Sequence, residues 1–141
     1  MSEHTAVVRW QNTAASMDPA SYSRAHRWEF PGGPDLPASA AAAYGGDPGC
    51  VDPEEGLVAA ASGCHMLTFL AIAAKKKLVV ASYVDHAVGH LEKDAEGRLA
   101  VTRIELRPEV GFAPGTTVAA EDLRRLHESA HRNCFIANSI K

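Results

Sequence analysis

Two cysteines, Cys64 and Cys134, lie in sequence contexts that could support redox chemistry. Cys64 lies in the middle of a long apolar segment, and Cys134 follows a second helical pattern. A free cysteine often only fills space in the core, so neither residue indicates a function by itself. Two thiols on elements that pack together are nevertheless what a peroxide-reducing cycle needs, because a thiolate is oxidised to a sulfenic acid that condenses with the second thiol.

Activation of Cys64 requires help from another part of the chain. The residue is too far from the start of its predicted helix for the helix dipole to act strongly, so we expect a cation to lower its pKa. Arg24 is a candidate, and Glu54 could clamp its guanidinium in a bidentate pair. Taken singly, Arg24 is more typical of a surface arginine, and Glu54 of a helix-capping carboxylate, than either is of a functional residue.

The spacing of Glu54 and Cys64 constrains the shape of such a site. The two residues are ten positions apart, which is about 15 Å along a helix axis. A straight helix therefore cannot bring both side chains to one small site. Either an arginine spans much of the gap, or a second subunit completes the site. We favour a shared site at a symmetric dimer interface.

Three residues near the C-terminus offer a rival chemistry. His127, His131 and Cys134 are spaced four and then three residues apart. They would share one helix face, where two imidazoles and a thiolate could hold zinc, although this spacing is weakly specific. Cys50 lies in a loop rich in glycine and proline, has no visible partner in the sequence, and is interpreted as incidental.

The order of the predicted elements is strands, helix, strands and helix, which is typical of an α+β domain with antiparallel sheet. Alternation over residues 22–30 indicates a strand with Arg24 and His26 on its aromatic face. Pro108 is expected to demote or end a strand. The other predictions are a strand at Val7 and Val8, an irregular loop over residues 31–52, a helix from Asp52 to about Lys77, strands within residues 78–112 with a turn at residues 94–97, and a helix over residues 119–132.

The first predicted helix has a strong start signal. Asp52 can cap it, Pro53 suits the first helical position, and Glu55 completes an Asp-x-x-Glu capping box. The segment is apolar on nearly all sides, which is typical of a helix buried in the core. Its length is close to that of a membrane span, but its polar residues and many alanines favour a central helix of a soluble protein. Gly56 and Gly63 suggest close packing against a partner helix.

The composition bounds the class of protein. The chain has 141 residues, 46% of them hydrophobic, and a formal net charge of −3, so we expect one globular domain over residues 1–141. This mild acidity gives no electrostatic footprint for nucleic acid or an anionic membrane. The first ten residues do not resemble a signal peptide. Three cysteines do not suggest a secreted disulfide framework, and we expect a cytoplasmic protein.

Two sequence blocks carry a resemblance to a known family. The first joins Asp-Pro-Glu-Glu at residues 52–55 to Ser-Gly-Cys-His at residues 62–65. The second joins His-Arg-Asn-Cys at residues 131–134 to Asn-Ser at residues 138–139. In this order and at this distance they resemble the Ohr/OsmC family of organic-hydroperoxide-resistance and osmotically induced proteins. The stretch Cys-His-Met-Leu-Thr-Phe-Leu at residues 64–70 resembles the OsmC-like branch more than the Ohr branch.

The resemblance implies an obligate homodimer in which sheets wrap two long central helices. It implies that Cys64 is the peroxidatic cysteine, Cys134 the resolving cysteine, and Glu54 the residue that positions an active-site arginine. That arginine comes from the N-terminal strand region, where Arg24 is favoured and Arg27 and Arg9 stay open. The implied substrates are alkyl or fatty-acid hydroperoxides, and the implied reductant is an external dithiol such as a lipoylated protein. No metal, haem or flavin is implied.

The sequence leaves a second class of function open. A dimeric binding or redox-sensing module could have the same fold, with cysteines that are oxidised without catalysing the reduction of a peroxide. Such a sensor would react with peroxide once but would not turn over with any reductant, whereas an enzyme would.

Overall fold

The computed structural model describes residues 1–14 and 16–141, which form three α-helices and seven strands joined in antiparallel pairs. The predicted α+β class is therefore confirmed. The chain divides into two compact units, Met1–Gly56 and Leu57–Lys141, and the expectation of one domain over residues 1–141 stays a prediction. The strands are β1 Val7–Arg9, β2 His26–Glu29, β3 Asp35–Ala38, β4 Val80–Asp85, β5 Val88–Lys93, β6 Leu99–Glu105 and β7 Pro108–Phe112; the helices are α1 Pro53–Lys75, α2 Ala120–Asn133 and α3 Phe135–Ser139.

The first unit contains a three-stranded sheet in the order β1-β2-β3. The prediction of an irregular loop over residues 31–52 is wrong in part, because β3 and a short 3-10 helix, Ala42–Tyr44, lie inside it. Gly32 and Gly33 adopt positive φ angles of 87° and 105° and turn the chain back onto β2. Pro37 hid the strand from sequence reasoning, and it is tolerated because β3 is an edge strand of this sheet.

Trp28 on β2 gives a reason for Gly56 within this same unit. A Cβ added at Gly56 would lie 2.7 Å from Cη2 of Trp28, closer than any real contact allows. The indole N–H of Trp28 donates to Nε2 of His26 at 3.0 Å, which fixes the ring. Gly56 therefore packs against an indole of its own chain, whereas a Cβ at Gly63 would meet open space in the single chain.

Both ends of α1 follow local rules. The backbone N–H of Glu55 donates to Asp52 Oδ1 at 2.8 Å, and the N–H of Asp52 donates to Glu55 Oε1 at 3.0 Å, so the predicted capping box is confirmed. At the other end Lys77 has a left-handed φ of 59°. The N–H of Leu78 then returns to the carbonyl of Ala73 at 2.9 Å, in the manner of a Schellman motif. The helix ends at Lys75, two residues before the predicted end.

The burial of α1 differs from the prediction. Its buried residues, His65, Phe69 and Ala73, form one stripe at intervals of four. Leu67, on another face, is 64% exposed. The helix is long and apolar enough to cross a membrane by length and composition, and only 22% of its most apolar stretch is buried within the chain. Burial on all sides is therefore wrong for the single chain, because one stripe alone faces the core of the second unit.

The second unit contains two separate two-stranded sheets, β4-β7 and β5-β6. Together with the first unit this makes three sheets in the described ranges, and all their strand pairs are antiparallel, as predicted. The turn at residues 94–97 joins β5 to β6 as predicted, with the N–H of Gly97 donating to the carbonyl of Asp94 at 3.0 Å. Pro108 begins β7 and does not end a strand there, because the first residue of a strand is one of the places where proline fits.

The core of the second unit lies where α1 and α2 contribute apolar side chains. Its buried members are Phe69 and Ala73 of α1 and Leu126 and Ala130 of α2. Leu123, predicted with Leu126 and Ala130 as the inner stripe of α2, packs against this cluster while partly buried. The predicted bounds of α2 agree with the structure to one residue at each end. The short helix α3 was not predicted.

Candidate functional site

Cys64 and Cys134 meet in the second unit, as a thiol pair requires. Cys64 lies near the middle of α1 and is half-buried, whereas Cys134 follows α2 and is 1% exposed. Both are free thiols, and each side chain is a hydrogen-bonding neighbour that shifts the pKa of the other. The two elements therefore bring the two thiols together, as a disulfide between them would require.

The surroundings of Cys64 favour its thiolate. Burial raises the pKa of Cys64, but hydrogen bonds outweigh this effect and hold the pKa below its ordinary value. The donors are the backbone N–H of Ile136, the thiol of Cys134, the backbone N–H of Phe135 and the hydroxyl of Thr68. All four donors are uncharged, and two of them lie just beyond Cys134, whereas the sequence analysis expected a cation to lower this pKa.

Cys134 has the opposite character. Burial is the main cause that raises the pKa of Cys134; the backbone N–H of Ala137 opposes it, and the neighbouring Cys64 raises the pKa further. Of the two sulfurs, Cys64 is therefore the better acceptor and Cys134 the better donor. The thiolate is the reactive form, so this asymmetry favours Cys64 as the nucleophile, and that role stays a prediction.

Helix α3 supplies the donors that set this asymmetry. Cys134 is its N-cap residue, and its sulfur accepts from the N–H of Ala137 at 3.5 Å. The turn that follows points the N–H groups of Phe135 and Ile136 at Cys64. Backbone N–H donors cannot be recognised from residue type. Sequence analysis could have found these two only by predicting the turn after Cys134.

Arg24 lies in the first unit, held by its own loop. Its guanidinium donates to the carbonyl oxygens of Tyr22 and Pro19, both at 3.1 Å, and lies 4.1 Å from the centre of the Tyr22 ring. A Cβ added at Gly45 would lie 3.1 Å from its Nη1, so Gly45 leaves room for the guanidinium. The predicted strand over residues 22–30 is confirmed only for His26–Glu29, so Arg24 lies outside it, although its guanidinium stacks on the aromatic ring of Tyr22. The catalytic role of Arg24 stays a prediction.

The other candidate arginines of the first unit have carboxylate partners. Arg27 pairs with Asp35 at 2.8 Å, and Arg9 pairs with Glu29 at 2.7 Å. Arg24 forms no such ion pair within the described residues, so its charge is the least neutralised of the three. Glu54 lies half-buried in the first turn of α1, and no ion pair joins it to Arg24 in the described part of the chain. The proposed clamp between them stays a prediction.

The trio proposed for zinc is divided between two other pairings. His127 Nδ1 is 3.0 Å from Nε2 of His65, and the Cys134 thiol lies beside Cys64. His131 is exposed. Among residues 1–14 and 16–141, no three His, Cys, Asp or Glu side chains converge on a position that could hold a metal ion. The zinc hypothesis therefore lacks a site.

Cys50 is separate from the thiol pair. It lies in the first unit, where its sulfur is 3.7 Å from Asp47 Oδ2. Partial burial and the Asp47 carboxylate raise the pKa of Cys50, which makes it a poor thiolate at neutral pH. Its interpretation as incidental stays a prediction, and it serves as an internal control for Cys64.

Family comparison agrees with the two sequence blocks. A family model described as OsmC-like protein matches residues 45–141, a range that includes Glu54, Cys64 and Cys134. Among curated proteins, none matches the chain. A solved structure of an OsmC-like protein of unknown function from Vibrio cholerae is 48% identical, with a TM-score of 0.94 over 100% of this chain and 95% of that chain.

More distant structures share the fold. The organic hydroperoxide resistance protein of Elizabethkingia anophelis is 16% identical, with a TM-score of 0.66 over 98% of this chain and 89% of that one. The organic hydroperoxide resistance protein of Bacillus subtilis is 19% identical, with a TM-score of 0.61 over 96% of this chain and 89% of that one. At such identities the likeness is one of fold alone.

Proposed function

This chain belongs to the OsmC-like protein family, and from that premise we propose that it is a cysteine-based peroxidase that reduces organic hydroperoxides. The observation that carries the proposal is the hydrogen-bonded pair of Cys64 and Cys134, in which the pKa of Cys64 is lowered and that of Cys134 is raised. In this proposal the Cys64 sulfur attacks the hydroperoxide, and Cys134 stays a protonated thiol until it reacts with the oxidised Cys64.

The proposed cycle has three balanced steps. The Cys64 thiolate attacks the terminal oxygen of the hydroperoxide, the O–O bond breaks, and the alkoxide leaves and takes a proton to become an alcohol. The resulting Cys64 sulfenic acid condenses with the Cys134 thiol, forming a disulfide and releasing water. An external dithiol, such as a lipoylated protein, then reduces this disulfide by thiol exchange and is itself oxidised.

Arg24 and Glu54 complete the site in this proposal. Arg24 would stabilise the Cys64 thiolate in addition to the α3 N–H groups, and Glu54 would hold the guanidinium. Support comes from the three N-terminal arginines, of which Arg24 alone donates to carbonyl oxygens and to no carboxylate within the described residues.

The substrate class follows from the surface beside the thiols. Phe135, next to Cys134, is 81% exposed. A large apolar side chain left exposed beside the thiol pair favours substrates with a bulky apolar group. We therefore propose alkyl or fatty-acid hydroperoxides. Hydrogen peroxide, which buries no apolar surface, is expected to react more slowly.

The exposed faces of α1 also support a homodimer. Only 22% of the most apolar stretch of this helix is buried within the single chain. A Cβ added at Gly63 would meet open space. Burial of such a surface against a second copy would stabilise both chains by about 25 cal/mol per Å² of apolar area. We propose a symmetric pair in the cytoplasm, where dithiol reductants are available.

Steady-state turnover tests the proposed enzyme. The chain is assayed with cumene hydroperoxide and dihydrolipoamide, alongside Cys64→Ser, Cys134→Ser and the matched control Cys50→Ser. We expect Cys64→Ser to be inactive, Cys50→Ser to be fully active, and Cys134→Ser to accumulate a sulfenic acid that dimedone traps. Full activity of Cys64→Ser would overturn the proposal. A single oxidation with no turnover in any dithiol would favour a redox sensor.

A further inference from the structure

His26, the first residue of β2, connects the Trp28 indole to the backbone of Arg24. Its Nδ1 lies 2.9 Å from the carbonyl oxygen of Arg24, and its Nε2 accepts from the indole N–H of Trp28 at 3.0 Å. A carbonyl oxygen can only accept, so Nδ1 carries the ring proton and donates to it. Both ring nitrogens are therefore engaged, and the two bonds fix the imidazole in one tautomer and one orientation.

The bond from His26 replaces one that Arg24 cannot obtain from the sheet. Because β2 begins at His26, Arg24 lies outside the ladders that join β2 to β1 and β3. In the part of the chain that the structure describes, no backbone N–H donates to the Arg24 carbonyl. The indole N–H of Trp10 donates to the carbonyl of the neighbouring Ser23 at 2.9 Å. Of these two side chains, His26 holds the residue that carries the guanidinium.

The other end of this connection is anchored on α1. A Cβ added at Gly56 would lie 2.7 Å from Trp28 Cη2, so the indole lies close against the backbone of the first turn of the helix. Trp28 and His26 are two residues apart on one strand, so their side chains share a face of the sheet. A continuous set of contacts therefore runs from the start of α1 through Trp28 and His26 to the Arg24 carbonyl.

We propose that His26 is a positioning residue for Arg24, whose backbone it holds so that the guanidinium is presented in one place. The inference rests on the function proposed above, in which Arg24 stabilises the Cys64 thiolate. Arginine has a long, flexible side chain, and fixing its backbone removes part of the entropy cost of placing its charge. His26 transfers no proton and does not touch the hydroperoxide.

Two substitutions separate the two bonds of His26. His26→Asn keeps an N–H donor attached to Cγ, where Nδ1 is attached, and removes the acceptor for Trp28. His26→Gln places an acceptor oxygen one atom farther out, near the position of Nε2, and removes the donor to Arg24. Loss of one hydrogen bond changes a rate by about fivefold. We expect His26→Gln to turn over cumene hydroperoxide about fivefold more slowly, and His26→Asn to retain most of the wild-type rate.

A double-mutant cycle shows whether His26 acts through Arg24. Arg24→Ala removes the guanidinium, so His26→Gln should cause no further loss of rate in that background. An equal loss of rate from His26→Gln with and without the guanidinium would overturn the inference, because His26 would then act elsewhere.

The second readout needs no peroxidase activity. Phenylglyoxal labels arginine side chains, and peptide mass spectrometry compares the labelling rate of Arg24 with that of Arg9 on β1. We expect Arg24 to be labelled about fivefold faster in His26→Gln, with little change in His26→Asn. Arg9 serves as the reference for general loosening of the sheet, and thermal unfolding verifies that both variants are folded.

The outcomes separate this inference from the proposed function. An inactive wild-type chain with faster labelling of Arg24 in His26→Gln would overturn the peroxidase proposal and keep His26 as the residue that holds Arg24. Unchanged labelling in His26→Gln would overturn the role of His26 whatever the activity of the chain. Equal effects of His26→Gln and His26→Asn would also overturn it, because the bond to the Arg24 carbonyl would then not be the one that matters.

Discussion

His65 and His127 form a hydrogen-bonded pair between α1 and α2, with Nε2 of His65 3.0 Å from Nδ1 of His127 and ring planes only 8° apart. His65 is 6% exposed, and the His127 ring stacks on Phe69 with centroids 4.5 Å apart. One ring must donate and the other must accept, so the pair is stable only while at least one imidazole is neutral.

This pair predicts a loss of stability in acid. Burial lowers the pKa of His65, and the nearby His127 and His131 lower it further. Burial also lowers the pKa of His127, and the Asp85 carboxylate opposes the shifts of both histidines. The neighbouring Tyr83 hydroxyl stays neutral, because burial raises its pKa to about 12. The unfolded chain therefore takes up protons first as the pH falls below 6.5, the ordinary value for histidine. The free energy of unfolding should fall by at most about 1.4 kcal/mol per pH unit for each histidine.

Urea unfolding between neutral and mildly acidic pH measures this slope. His127→Gln should make it shallower, and His86→Gln, which changes an exposed histidine, should leave it unchanged. An equal slope in wild type and His127→Gln would show that the pair is not the source of the acid sensitivity.

The contact of Gly56 with Trp28 predicts a strained substitution. Ala is a better helix former than Gly, so Gly56→Ala would stabilise an unobstructed helix. Here the new Cβ would lie 2.7 Å from Trp28 Cη2, and we expect a net loss of about 1–3 kcal/mol in the free energy of unfolding. Circular dichroism during urea unfolding measures the change.

A double-mutant cycle identifies the cause of that loss. Trp28→Phe removes the distal ring atoms, so Gly56→Ala should cost much less in that background than in the wild type. If Gly56→Ala has the same effect in both backgrounds, the indole is not what excludes a side chain at position 56.

The exposed face of α1 predicts a dimer that depends on Leu67. Leu67→Glu would place a carboxylate in an apolar interface, and we expect it to shift the chain toward monomer at low micromolar concentration. Thr117→Glu, at an exposed position in the segment before α2, adds the same charge elsewhere and should leave the assembly intact. Sedimentation velocity distinguishes the species. A wild-type chain that sediments as a monomer would remove the proposed dimer.

Local sequence patterns predicted much of the secondary structure. The capping box of Asp52 and Glu55 predicted the start of α1 to the residue, because its two hydrogen bonds involve side chains that are visible in the sequence. The strand β3 was missed because Pro37 argues against a strand, and only its place at the edge of a sheet makes it acceptable. Edge positions depend on topology, which periodicity does not contain.

Only part of the site could be predicted. The proximity of Cys64 and Cys134 was expected because a peroxide-reducing cycle needs two thiols on elements that pack together. The N–H groups of Phe135 and Ile136 were not, because every residue except proline has one and only the local turn aims it. The pair of His65 and His127 was also missed, although both lie at helical positions that face the core, because long-range pairing requires the packing of α1 on α2.

The most direct test of the central claim is the bond that forms on oxidation. The reduced chain is treated with an equimolar amount of cumene hydroperoxide, its remaining thiols are blocked, and its peptides are mapped by mass spectrometry. We predict a disulfide between Cys64 and Cys134 with Cys50 alkylated. Recovery of Cys64 and Cys134 as blocked thiols, with the hydroperoxide unconsumed, would contradict the account.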